Sequence, residues 1–140
     1  MTADPNDIIR TSRSVLLVDW PSPEVPATFV RAGWAVHVKG GPGPEDFSVW
    51  ELVDGSPVSR RAGRRPANVD LIYVHRPLEE LPAIVAMAEE LGARALWYEP
   101  APASAGTSPQ LRSMVEAAGL LYVDNSDIVE AVRAGDAGRP

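Results

Sequence analysis

Asp19, His75 and Glu99 are the side chains with which this sequence could move protons, and each directly follows an apolar run. General acid–base catalysis needs a group that titrates near neutrality and a neighbour that orients it; an imidazole with two carboxylates offers both. Trp20, Lys39, Arg76, Trp97 and Asn125 stand in or beside the same positions and would bind rather than react, with aromatic faces, two cations and an amide. The three proton carriers have the right ligand types for a metal, yet no local spacing motif gathers them. Ser22, Ser108 and Ser126 lack the Gly-x-Ser-x-Gly elbow of a nucleophilic serine. A plainer reading stands beside each residue. His75 can be a packed or surface histidine, Glu99 a surface carboxylate and Asp124 the cap of the last helix. His37, inside a strand, is most simply structural.

What must position these groups is a set of short, well-punctuated elements. Residues 14–18 are a continuous apolar run, the mark of a strand covered on both faces; 69–74 reads as another buried strand, and 34–39, 93–98 and 120–123 as further strands. Helices are expected over 27–32, closed by Gly33, and over 81–91, with Pro82 in the first turn and Gly92 as the stop. Two more are expected over 109–118, capped at Ser108-Pro109, and over 127–134. Leu81, Ile84, Val85, Ala88 and Leu91 recur at helical spacing, so that stripe is core. Residues 47–53 alternate, Asp54-Gly55 is a two-residue hairpin turn, and Pro57 confines the returning segment to a sheet edge. Trp34, Trp50 and Trp97 can each be core, and for Trp34 core is the safer assignment. Trp50, on this flap, is assigned either to the core or to covering a crevice ligand.

Strands alternating with helices predict an α/β fold. It is a doubly wound, mostly parallel five-stranded Rossmann-like sheet with an extra edge hairpin. The carboxyl ends of such strands face one crevice, where ligands bind. That crevice is what would bring Asp19, His75 and Glu99 together. The expected organisation is a flexible or docking lead-in over 1–13, the domain over 14–134 with its flap at about 47–60, and a frayed tail over 135–140.

The totals narrow the function. At 140 residues the chain fits one domain. Its net charge of −6 argues against nucleic acid, whose binders carry a basic stripe. The dense basic run Arg60-Arg61-Ala62-Gly63-Arg64-Arg65 is local, either a solvated loop or a site for an anionic group. The chain has no cysteine, which removes disulfides and thiolate chemistry and fits a reducing compartment. The N-terminus is polar without a signal-peptide core, and no apolar run approaches the roughly 18 residues of a membrane helix. A soluble, cytoplasmic protein without a membrane partner is expected.

The second half carries a family resemblance. Val74-His75-Arg76-Pro77-Leu78-Glu79-Glu80-Leu81-Pro82-Ala83-Ile84-Val85 resembles "VFRRPEDVPEIV" of the small CoA-binding domain family, related to the N-terminal domain of the succinyl-CoA synthetase α subunit. Leu91-Gly92-Ala93-Arg94-Ala95-Leu96-Trp97 resembles its "LGAKVVW". Ala118-Gly119-Leu120 with Tyr122-Val123-Asp124 resembles its "AGL…VVMD", and Gly33-Trp34-Ala35-Val36 its "HGYKV". The matches run in order from Ser14 to about Val132. The resemblance implies sheet order 3-2-1-4-5 and CoA or acyl-CoA lying across the carboxyl ends of the strands. By family position or place in the crevice, Trp20, Ser22, Lys39, Gly40, Arg76, Trp97 and Asn125 become the cofactor-binding set.

The departures fall at the family's ligand positions. Where its first strand ends in a glycine and a small-residue loop for the diphosphate, this chain has Asp19-Trp20-Pro21 and a shorter connection. Gly40-Gly41 replaces Asn-Pro, Trp97-Tyr98-Glu99-Pro100-Ala101 replaces "WLQLG", and Ser126 replaces a cysteine. Each proline removes a backbone N–H, and a carboxylate at Asp19 repels phosphate. Three readings follow. The first is a CoA-binding-like module for a nucleotide-bearing small molecule. The second is a small enzyme using Asp19 and His75 on a non-phosphate substrate. The third is a domain acting through protein contacts at the flap or arginine loop, as a homodimer or with a partner protein.

Overall fold

The computed structural model describes residues 4–39, 47–62, 64–99, 109–124 and 126–137. In chain order the elements are α1 (Pro5–Arg10), β1 (Ser14–Val18), α2 (Glu24–Arg31), β2 (Ala35–Lys39), β3 (Phe47–Val53) and β4 (Ser56–Arg61). They continue with β5 (Leu71–Val74), α3 (Leu81–Glu90), β6 (Ala95–Tyr98), α4 (Pro109–Ala117), β7 (Leu121–Asp124) and α5 (Ile128–Ala137). Gly40, Asn125 and the Ser108 cap lie outside the described residues.

The strands make one seven-stranded sheet in the order β4-β3-β2-β1-β5-β6-β7. Five of them, β2-β1-β5-β6-β7, pair in parallel, and β3 and β4 add an antiparallel edge hairpin. Counted among themselves, the parallel strands run 2-1-3-4-5 rather than the expected 3-2-1-4-5. The reason lies in the chain after β2. It offers no crossover helix among the described residues, and the Asp54–Gly55 turn, with φ of +52° and +81°, folds β4 straight back on β3. The hairpin therefore fills the place beside β2.

Two apolar layers cover the sheet because successive strand residues face opposite sides. Val15 and Leu17 of β1 join α1, α2 and α5 through Ile8, Ile9, Val25, Phe29, Ile128 and Val132. Leu16 and Val18 join α3 and α4 through Leu81, Ile84, Val85, Leu111 and Val115. α2 begins at Glu24, three residues earlier than expected, with Pro23 at the N-cap. Prolines are tolerated in a first turn, where the missing N–H has no intrahelical partner anyway, so the run of prolines opens the helix instead of delaying it. No helix among the described residues is long and apolar enough to cross a membrane.

Candidate functional site

The parallel sheet reverses its winding between β1 and β5, and the crevice of a doubly wound sheet lies outside the carboxyl ends at that point. The ladder continues one residue past the strands. Asp19 N–H donates to Lys39 O at 3.2 Å, His75 N–H to Val18 O at 3.0 Å, and Glu99 N–H to Val74 O at 2.9 Å. Asp19, His75 and Glu99 thus sit on adjacent strand ends, carried by backbone geometry alone.

Their side chains part into two groups. Asp19 has φ of +63°, a left-handed conformation that glycine adopts freely and other residues seldom do. Its carboxylate offsets that cost locally, accepting from Trp20 N–H at 2.9 Å and from Arg76 Nη1 at 3.1 Å. Arg76 is also gripped by Glu80, through Nε at 3.0 and 3.1 Å and Nη2 at 2.5 Å. Glu80 first, then Asp19, holds the guanidinium more firmly charged than usual. Its own carbonyl accepts from Tyr98 hydroxyl at 3.0 Å, which ties the Arg76 backbone to β6.

On the other side, the Glu99 carboxylate accepts a hydrogen bond from Tyr73 hydroxyl, and the Glu99 carbonyl lies 3.1 Å from His75 Nδ1. Burial pushes the Tyr73 phenol far above its ordinary range, and the bond to Glu99 pushes further the same way. Asp19 therefore faces Arg76 while His75 faces Glu99, and among the described residues no shared hydrogen bond couples the two.

A cavity of about 350 Å³ opens beside the turn after β1, lined by Ser22, Glu24, Glu99, Asp127, Glu130 and Arg133 among others. Four of these six are carboxylates. Arg133 Nη2 is taken by Glu24 at 2.7 Å, and Asp127 accepts the Val129 and Glu130 N–H groups of its own helix at 2.9 and 3.2 Å. The N-terminus of α2 is equally self-supplied: Val25 N–H goes to Ser22 O at 3.2 Å, Pro26 has none, and Glu24 stands in the first turn.

Of the binding residues expected from sequence, Ser22 lines this cavity and Trp20 packs half-buried against the first core layer. Lys39 ends β2, paired with Val18 and Phe47, and Arg76 stands across from Asp19. For Trp97 the structure takes the core alternative that the sequence also allows. Its side chain is wholly buried in the core and its indole N–H donates to Ser126 O at 3.0 Å, so no ring face is left for a ligand. A four-residue strand covered on both faces puts every side chain, Trp97 included, inside. Sequence reasoning misses Tyr73, Glu80 and Asp127. The Arg76/Glu80 spacing of four is the one available signal; Tyr73 reads as one more apolar strand residue.

The comparisons bear on the family and the fold. A family model described as "CoA binding domain" matches residues 18–131. No curated protein matches the chain. Among solved structures it is similar to Prb, a protein redesigned for binding, at TM-score 0.65 and 17% identity, over 97% of this chain and 92% of that one. It is similar to a Thermus thermophilus protein at TM-score 0.64 and 14% identity, over 95% and 99% of the two chains. A hypothetical protein from Pyrococcus horikoshii OT3 follows at TM-score 0.61 and 16% identity, over 94% and 92%. Likeness at that identity shows the shared fold, while the family model covers most of the chain: this protein belongs to the CoA-binding domain family.

Proposed function

We propose that the chain is a ligand-binding module that takes CoA, an acyl-CoA or another nucleotide-bearing small molecule into the crevice at the carboxyl ends of β1 and β5. The observation that carries this reading is the family match over residues 18–131, laid on a sheet whose winding reverses at that crevice. The diphosphate would not rest on the N-terminus of α2. That turn has given its Val25 N–H to Ser22, lacks one at Pro26 and presents Glu24. Arg76 is the cation at the switch point, and a phosphate there competes with Asp19 and Glu80. The reading is therefore of a module with weaker affinity for the diphosphate than a glycine-turn relative, and with ligand selection left to the rest of the molecule.

A thermal-shift titration with CoA, acetyl-CoA, NAD and AMP tests it. A ligand at about a hundred times its Kd stabilises by about 2.7 kcal/mol, which for a domain of this size raises the melting temperature by roughly 8–10 °C. A rise with CoA or acetyl-CoA that Arg76→Ala reduces supports the reading. No rise with any of the four rejects it.

A further inference from the structure

The arginine run that the crevice does not use has a structural partner in the sheet. Across the edge strands, His37 of β2 pairs with Val49 of β3, and Val49 with Arg60 of β4. Their side chains share one face, the face on which Leu16 of β1 points at α3 and α4. On that face the edge strands are bordered by Ala62 and residues 64–67. The result is a concave shelf of about 520 Å³ lined by His37, Val49, Arg60, Arg64, Arg65 and neighbours, with no helical residue and no carboxylate in its lining among the described residues.

We propose that this shelf is a second binding site, taking the phosphate or diphosphate group of a small organic anion between Arg60, Arg64 and Arg65 above a floor of His37 and Val49. Three arginines line the hollow in a protein whose net charge is −6, so the positive potential is local and would be focused there. Guanidinium forks match phosphate oxygens two at a time. Arg64 has no ion pair among the described residues. Arg60 pairs with Glu51 at 3.1 Å and Arg65 with Glu90 at 2.6 Å; both are exposed pairs of the kind that contribute little and can be exchanged for a ligand. The half-buried His37 imidazole brings a further polar group to the floor, and burial keeps it neutral to lower pH than usual. The volume lies within the ~300–1,000 Å³ of small-molecule sites, larger than a free ion needs.

The shelf lies over the edge strands, with Arg65 tied to the last turn of α3 at the amino ends of the strands, away from Asp19 and Arg76. Its test is accordingly separate from that of the crevice. Backbone amide spectra of the full chain would be recorded during titration with inorganic pyrophosphate at about 0.15 M ionic strength, where unspecific surface attraction is screened. The expected result is saturable shifts at His37, Val49 and residues 60–67. The Arg64→Ala/Arg65→Ala variant, altered only at exposed residues, should melt as the parent does and bind at least about tenfold more weakly, as loss of two charge-assisted contacts implies. Arg64→Lys/Arg65→Lys, which keeps the charge without the fork, should fall between. Shifts that never saturate, shifts centred on Arg76, or an unchanged affinity in the alanine variant would overturn the proposal. So would binding of a glutamate peptide at the shelf with no binding of pyrophosphate.

Discussion

Replacing Asp19 tests the turn after β1 from two sides at once. The residue holds φ of +63° and offsets that cost with the Trp20 N–H bond and the pair to Arg76. A left-handed residue other than glycine costs about 1–2 kcal/mol, with aspartate and asparagine at the low end because they bond locally. A typical hydrogen bond contributes about 1 kcal/mol net, and a half-exposed ion pair about 0–1 kcal/mol. Asp19→Asn keeps the acceptor and tolerates the conformation, so it should cost about 0.5 kcal/mol. Asp19→Ala loses both contacts and keeps the strain, at a cost of about 2 kcal/mol. Asp19→Gly loses the same contacts but sheds the strain, against about 0.5–1 kcal/mol of extra chain entropy, for a cost of about 1 kcal/mol. The stability order is therefore Asp, Asn, Gly, Ala, with glycine above alanine by about 1 kcal/mol. In urea melts with a slope of about 2 kcal/mol/M that gap separates the midpoints by about 0.5 M. Alanine equal to or above glycine would refute the strain argument. The same variants should bind CoA more tightly, because they remove a charge facing the diphosphate and release Arg76. At about 1–2 kcal/mol for that charge, the gain is about 5–30-fold.

Other positions give independent checks. Gly135→Ala adds a Cβ that would stand 2.7 Å from Ile9 Cγ2, so despite alanine's better helix propensity it should destabilise by about 1–2 kcal/mol; an increase in stability would mean α1 does not pack there. Tyr73→Phe leaves the Glu99 carboxylate without its buried donor and should lower stability by about 1–3 kcal/mol in denaturant melts, whereas Tyr98→Phe removes a neutral bond and should cost less. Burial lowers the His37 pKa below 6.5, so the unfolded chain binds the proton more readily. The stability that His37 contributes is thus present above about pH 6.5 and lost as pH falls through its folded value. Urea midpoints at about pH 7.5 and about pH 5.5 should therefore lie further apart in the parent than in His37→Gln; equal differences would contradict the burial.

The fold is legible in the sequence because its determinants are local. Continuous apolar runs, glycines after helices and the Asp54-Gly55 turn each act within a few residues, and together they imply parallel strands plus an edge hairpin. Strand order is less legible. Whether the chain after β2 crosses over or folds back depends on what pairs with β2, a long-range choice on which the family resemblance points the wrong way. In the site, the backbone placement of Asp19, His75 and Glu99 follows from the strand ends. The direction of their side chains does not, because it hangs on partners distant in sequence: Arg76 lies far along the chain from Asp19, and Tyr73 reaches Glu99 from the neighbouring strand. The backbone conformation of Asp19 is likewise not legible from its residue type. In this chain the position is left-handed, held by an aspartate that bonds to its own next residue.

The central claim is that a CoA-type ligand occupies the crevice between β1 and β5 although the phosphate turn has been rebuilt around Asp19. Amide spectra recorded while CoA is added to the parent protein test it most directly. The account predicts saturable shifts at Trp20, Ser22, His75, Arg76 and Glu99, occurring at lower CoA concentration in Asp19→Asn. Spectra in which those residues stay unmoved at millimolar CoA (about −4 kcal/mol of binding) would contradict it.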